Sequence, residues 1–133
     1  MKHKFKIFVI DDNPGFTMAL QIHLEKKGHD VITFNKATDF PLDGNNLCPC
    51  SKGTTCGDFL IIDQQMPDMN GLDFIHLLSQ SGCKGILRNT LLMSGWLTRE
   101  EESKACELGC EVLHKPFEFN EILNWIEKRI QLV

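Results

Sequence analysis

The sequence predicts an α/β fold: a parallel sheet with helices on both faces. Three observations lead to it. Five short apolar runs recur along the 133 residues, nearly continuous in Ile, Val, Leu and Phe, as strands buried on both faces must be. Segments with helical spacing separate them. Strand and helix alternate to the end of the chain, which brings each strand back into one sheet in one direction.

The strands are read at 6–11 (KIFVID), 30–34 (DVITF), 58–63 (DFLIID), 89–95 (NTLLMSG) and 110–115 (CEVLHK). After Asp12, Pro14 sits where a first-turn proline is tolerated, and Phe16, Ala19, Leu20, His23 and Leu24 follow helical spacing up to Gly28. A short second helix is placed at about 36–42. Leu72, Ile75 and Leu78 mark a third, ending near Gly82. Thr98 and Glu101 form a capping box, and Gly109 supplies the stop of the fourth. Ile122, Leu123, Ile126 and Ile130 mark the last.

Composition narrows the function classes. A chain of this length is expected to form one domain, residues 1–133. Hydrophobic residues at 42% and charged residues at 24% suit a soluble globular protein. The net charge of −4 argues against a nucleic-acid-binding surface. No apolar run approaches the roughly 20 residues of a membrane helix, and the start MKHKFKIFVIDD lacks a secretion signal. The expectation is a cytoplasmic protein with no nucleic acid and no membrane among its partners.

Parallel α/β sheets bind ligands outside the carboxyl ends of their strands. Here the first strand ends in Asp11 and Asp12, the third in Asp63, the fourth in Ser94 and the fifth in Lys115. Clustered carboxylates repel and need a compensating cation. Mg²⁺ suits such an oxygen cluster, above all with phosphate oxygens completing its shell. Lys115 offers a point charge for an anion, and Ser94 a hydrogen bond. The set fits phosphoryl transfer, where positioning and charge neutralisation carry the catalysis. Polar capping of buried strands explains any one of these residues, but poorly explains all four strand ends together.

The motifs FVIDD, IIDQQMPDMNG, LLMSG and HKPF, in this order and spacing over about residues 5–130, resemble the response-regulator receiver domain of two-component signalling. The resemblance implies a flavodoxin-like (βα)5 doubly wound sheet with strand order 2-1-3-4-5. It implies that Asp63 is the phosphoacceptor and that Asp11, Asp12 and Asp63 hold Mg²⁺, with a backbone carbonyl from Gln65. Ser94 matches the switch hydroxyl, Lys115 the phosphoryl-binding lysine, and Pro116 its cis-proline neighbour. The implied donor is a sensor histidine kinase or a phosphotransfer protein. The implied chemistry is self-phosphorylation and slow self-dephosphorylation, with no external substrate turned over.

The chain also departs from that pattern. Val112 stands where the family often has an aromatic switch residue, and Trp96 follows Ser94 by two positions. No output domain is expected after the last helix. Output then passes through an unknown downstream protein, a phosphorelay step or a homodimer.

A polar insertion at about 43–58 carries Cys48, Cys50 and Cys56 in the pattern C-x-C-x5-C. The topology sets it at the same end of the sheet as Cys83, so these four cysteines can meet around one tetrahedral ion, most simply Zn²⁺. Three readings stand open: a metal site, a redox disulfide, and unligated thiols. Cys110 is placed towards the far edge of that end, and Cys106 in helix core. A metal- or redox-sensing module built on this loop is the second functional reading. An aspartate-nucleophile phosphohydrolase is the third, and it lacks the second Asp two residues after Asp63, where Gln65 stands.

Overall fold

The computed structural model of the protein describes residues 4–42, 48, 50 and 55–131. Most of the 43–58 insertion, with Gly44 and Gly53, lies outside them, as do His3 and the chain ends. Five parallel strands form one sheet: β1 (Lys6–Ile10), β2 (Asp30–Phe34), β3 (Phe59–Asp63), β4 (Thr90–Ser94) and β5 (Glu111–His114). Their order is β2-β1-β3-β4-β5, as expected. Among the described residues, four α-helices connect or follow them: α1 (Pro14–Lys26), α2 (Gly71–Gln80), α3 (Arg99–Leu108) and α4 (Phe119–Gln131).

Alternation along the strands divides the core in two. Ile7, Val9, Phe59, Ile61, Leu91 and Met93 pack with Leu20 and Leu24 of α1 and Ile122 and Ile126 of α4. Phe8, Ile10, Leu60, Ile62 and Leu92 pack with Leu72, Phe74, Ile75 and Leu78 of α2 and Ala105 of α3. β3 is the central strand and is buried throughout. Each fully buried Leu or Ile contributes roughly 1.5–3 kcal/mol, so the strand carrying Asp63 is among the most firmly held parts of the molecule.

The expected second helix at 36–42 is not formed. In its place is a single 3-10 turn, Ala37–Asp39. Pro41 gives the reason: a residue preceding proline is disfavoured in the α region, and Phe40 is extended at φ −65°, ψ 134°. The core is closed there by a side chain instead. Phe40 is buried and packs its ring against Phe8, Phe34 and Phe74, at centroid distances of 5.1, 6.0 and 5.4 Å.

The remaining helices end as the sequence indicates. Gly28, Gly82 and Gly109 all have positive φ. Asn13, Asn70 and Thr98 cap α1, α2 and α3 through their side chains. Among the described residues, no helix is long and apolar enough to cross a membrane.

Candidate functional site

The parallel register brings the strand ends out along one edge: Ile10 pairs with Ile62, Asp63 with Met93, and Ser94 with His114. Asp11 and Asp12 leave β1 beside the last residue of β3. Carboxylate oxygens of Asp11, Asp12 and Asp63 all lie within 4.8 Å of one another. Asp11 and Asp63 are buried, whereas Asp12 is exposed. Lys115, just beyond β5, reaches across β4 to Asp63, with its Nζ 2.8 Å from Oδ1. The Lys115–Pro116 peptide is cis.

Burial is the main force on Asp11. It raises the carboxyl from 3.8 to about 6, reinforced by the nearby charges of Asp63 and Asp12. The Asn13 amide, 2.9 Å from Asp11 Oδ1, and the Lys115 ammonium pull the other way without cancelling it. Three carboxylates facing one Lys is a net negative centre, and hard oxygen donors of this kind suit Mg²⁺. In an octahedral shell, adjacent oxygens lie about 3 Å apart and opposite ones about 4 Å, so the three observed oxygens fit one shell with small shifts.

The centre is open to solvent on two sides. Asp11, Asp12, Asn13, Phe16 and Lys115 to Phe117 line a cavity of about 600 Å³ with Phe119. Asp12 is also shared with a second depression, lined by Gln64, Gln65, Met66, Pro67, Asn70 and Glu101. Gln65 is exposed on this side. Ser94 is fully buried at the end of β4; its hydroxyl donates to the Trp96 carbonyl at 2.9 Å and accepts from the Trp96 amide at 3.2 Å. The Trp96 ring itself is 71% exposed. Val112 is half-buried against the α2/α3 side of the core.

One residue of the site was missed by sequence reasoning. Gln64, directly after Asp63, is buried. Its amide oxygen accepts from the Leu72 amide at 2.9 Å, and its nitrogen donates to Glu101 at 3.2 Å. It thereby ties the loop after Asp63 to the first turns of both α2 and α3. Gly71 serves the same close packing: a Cβ there would lie 2.7 Å from the Asp63 carbonyl oxygen and 2.6 Å from Leu92.

At the opposite end of β3, the four cysteines also meet. The sulfurs of Cys48, Cys50, Cys56 and Cys83 all lie within 4.8 Å of one another. The first three are buried and Cys83 is half-buried. Cys56 and Cys83 are in hydrogen-bond contact at 3.7 Å; this contact draws the Cys83 thiol down and pushes Cys56 up. Cys110 stands apart, buried, with its thiol on the Ala105 carbonyl at 3.4 Å. Cys106 is exposed and not helix core, because the buried residue of α3 is its neighbour Ala105.

Comparison with known proteins agrees with this arrangement. The model of the response regulator receiver domain matches residues 7–127. The chain is 32% identical over 128 residues to the DNA-binding transcriptional regulator NtrC of Azospirillum brasilense, covering 93% of this chain and 24% of that protein. It is 30% identical over 122 residues to the alkaline phosphatase synthesis transcriptional regulatory protein PhoP of Bacillus subtilis, covering 88% of this chain and 45% of that one. The chain thus spans less than half the length of either relative. The non-phosphorylated receiver domain of HemR from Leptospira biflexa superposes with a TM-score of 0.78 at 24% identity, over 98% of this chain and 97% of that one, and so shares the fold. With a family model spanning nearly the whole chain, the sheet order expected of that family and acidic residues at its strand ends, this protein belongs to the response regulator receiver domains of two-component signalling.

Proposed function

We propose that Asp63 is the phosphoacceptor of a two-component phosphorelay. One observation carries this reading: a buried aspartate at the end of the central strand, ion-paired to Lys115 at 2.8 Å and grouped with Asp11 and Asp12 within 4.8 Å. A carboxylate so held is oriented for in-line attack, and its charge is partly offset before a phosphoryl group arrives.

In the proposed reaction an Asp63 carboxylate oxygen attacks phosphorus and the phosphorus–nitrogen bond of a donor phosphohistidine breaks. The electron pair leaves with the imidazole. The donor is a histidine kinase or a phosphotransfer protein. Lys115 follows the charge from the carboxylate to the phosphoryl oxygens. Asp11, Asp12, Asp63 and the Gln65 carbonyl would hold Mg²⁺, which when bound neutralises the anionic oxygens. The product is an acyl phosphate that water hydrolyses slowly, so the protein modifies itself and turns over no external substrate.

The new group brings about 1.5–2 negative charges and three strong acceptors. Ser94 is placed to respond, because turning its hydroxyl towards the phosphoryl group costs the two contacts it now makes with Trp96. Release of that loop would change the surface around the exposed Trp96 ring. Val112 cannot act as a swinging ring, so in this reading the loop after β4 carries the switch alone.

The test is incubation with acetyl phosphate or phosphoramidate and Mg²⁺, followed by intact-mass measurement. Wild type is expected to gain one phosphoryl mass and Asp63→Asn none. A wild type that stays unlabelled with these donors and with a competent kinase overturns the proposal, as does equal labelling of Asp63→Asn.

A further inference from the structure

We propose that Cys48, Cys50, Cys56 and Cys83 bind one Zn²⁺ in a closed tetrahedral site, and that this ion fastens the β2–β3 crossover to the C-terminal end of α2. The site lies at the end of β3 opposite Asp63, and its existence does not depend on the phosphoacceptor reading.

The geometry fits an ion. Four thiolates at about 2.3 Å from zinc lie about 3.8 Å from each other along the tetrahedral edges. Here the Cys56–Cys83 sulfur distance is 3.7 Å and all six pairs are within 4.8 Å. A disulfide needs about 2.04 Å. Four sulfurs from sequence positions up to 35 apart have thus collected at ligand spacing around one point, with all four thiols free.

A backbone donor faces the sulfurs. The Cys56 amide donates to Cys50 Sγ, at 3.3 Å. Amides aimed at sulfur orient metal-bound thiolates and disperse their charge. Gly85 lets the chain pass close beside the cluster: a Cβ there would stand 2.6 Å from the Gly57 carbonyl and 3.0 Å from Cys56 Sγ. The Cys48 amide donates to the Ser81 carbonyl at 2.9 Å, anchoring the cluster to the end of α2.

The role follows from what the crossover lacks. Among the described residues it contains no α-helix; 3-10 conformation occurs at 37–39 and at Cys50, and Phe40 packs as a plug. Cys48, Cys50 and Cys56 belong to the same apolar cluster as Phe8, Leu60 and Ile86. They cover the part of the sheet that a helix in this crossover would cover. A four-thiolate site has no open position for substrate and is structural.

The test is element analysis of protein purified anaerobically without chelator, for wild type, Cys83→Ser, Cys50→Ser and Cys106→Ser. About one zinc per chain is expected in wild type and in Cys106→Ser, and a loss of most of it in the other two. Because a ligand variant can fail to fold, stripped and reduced wild type is also titrated with Co²⁺. Thiolate-to-cobalt charge-transfer and tetrahedral d–d bands should saturate at one equivalent. Wild type without stoichiometric metal and without those bands overturns the proposal. So does a Cys56–Cys83 disulfide in the anaerobic protein, or a Cys83→Ser variant that keeps zinc at wild-type affinity. One iron per chain in place of zinc overturns the identity of the ion.

Discussion

Asp11 carries a measurable cost. Its carboxyl is about 6 in the folded protein, chiefly through burial, against about 3.9 when unfolded. The folded state therefore binds the proton more tightly, and stability falls as pH rises from about 4 through about 6. Above that window the charged form costs about 3 kcal/mol. Asn in its place would keep the oxygen that accepts from the Asn13 amide and remove the charge. In metal-free urea denaturation at pH 7.5, Asp11→Asn is expected to be more stable than wild type by on the order of 1–3 kcal/mol. The gain should vanish near pH 4, and Mg²⁺ should stabilise wild type but not the variant. A gain of equal size at both pH values would mean that charge is not the cause. Asp11, Asp12, Asp63, Ser94 and Lys115 were legible because parallel strands deliver their carboxyl ends to one edge. Gln64 was not, because nothing in the QQ pair distinguishes the buried glutamine from the exposed one.

The elements show where local rules suffice and where they fail. The T-x-x-E signal before α3 is realised in full: Glu101 donates its amide to Thr98 Oγ1 at 3.1 Å, and the Thr98 amide donates to Glu101 Oε1 at 2.9 Å. The other oxygen of Glu101 accepts from Gln64, so the cap is also a strut behind the loop that follows Asp63. Thr98→Ala removes the cap alone and should cost about 1 kcal/mol. Glu101→Ala removes half of the box and the Gln64 contact together. It should cost about as much in stability and, unlike Thr98→Ala, change the rate of labelling by acetyl phosphate. Equal labelling rates in the two variants would show that the Gln64 contact does not reach the site. The second helix failed for an equally local reason. Its proposed span ran through Pro41, and the sequence around it gives Phe40 a better role as an extended plug on Phe8 and Phe74.

At the scale of the whole molecule, the two faces of the sheet are held differently. α1 and α4 cover one face with continuous helices. The other is closed by α2, α3, the Phe40 plug and the cysteine cluster. The cysteine spacing pointed to a meeting of four thiols because the crossover, the start of β3 and the end of α2 share one end of the sheet. It could not show that the cysteines join Phe40 in covering this face, which required seeing the 37–39 segment as a turn. If zinc closes the crossover, its removal frees a long loop whose closure is otherwise held by the ion. Hydrogen exchange should then accelerate by region. With a zinc-selective chelator and Mg²⁺ in excess, faster exchange is expected at the end of α2, in the Ile86–Arg88 turn and in the edge strand β2. The α1/α4 face should keep its protection, and Asp63 should still take up a phosphoryl group from acetyl phosphate, since its ligands and Lys115 sit at the far end of β3. Uniform acceleration across both faces would mean that the ion supports global stability instead of one crossover. Unchanged exchange after verified zinc removal would mean that Phe40 and the apolar contacts close that face by themselves.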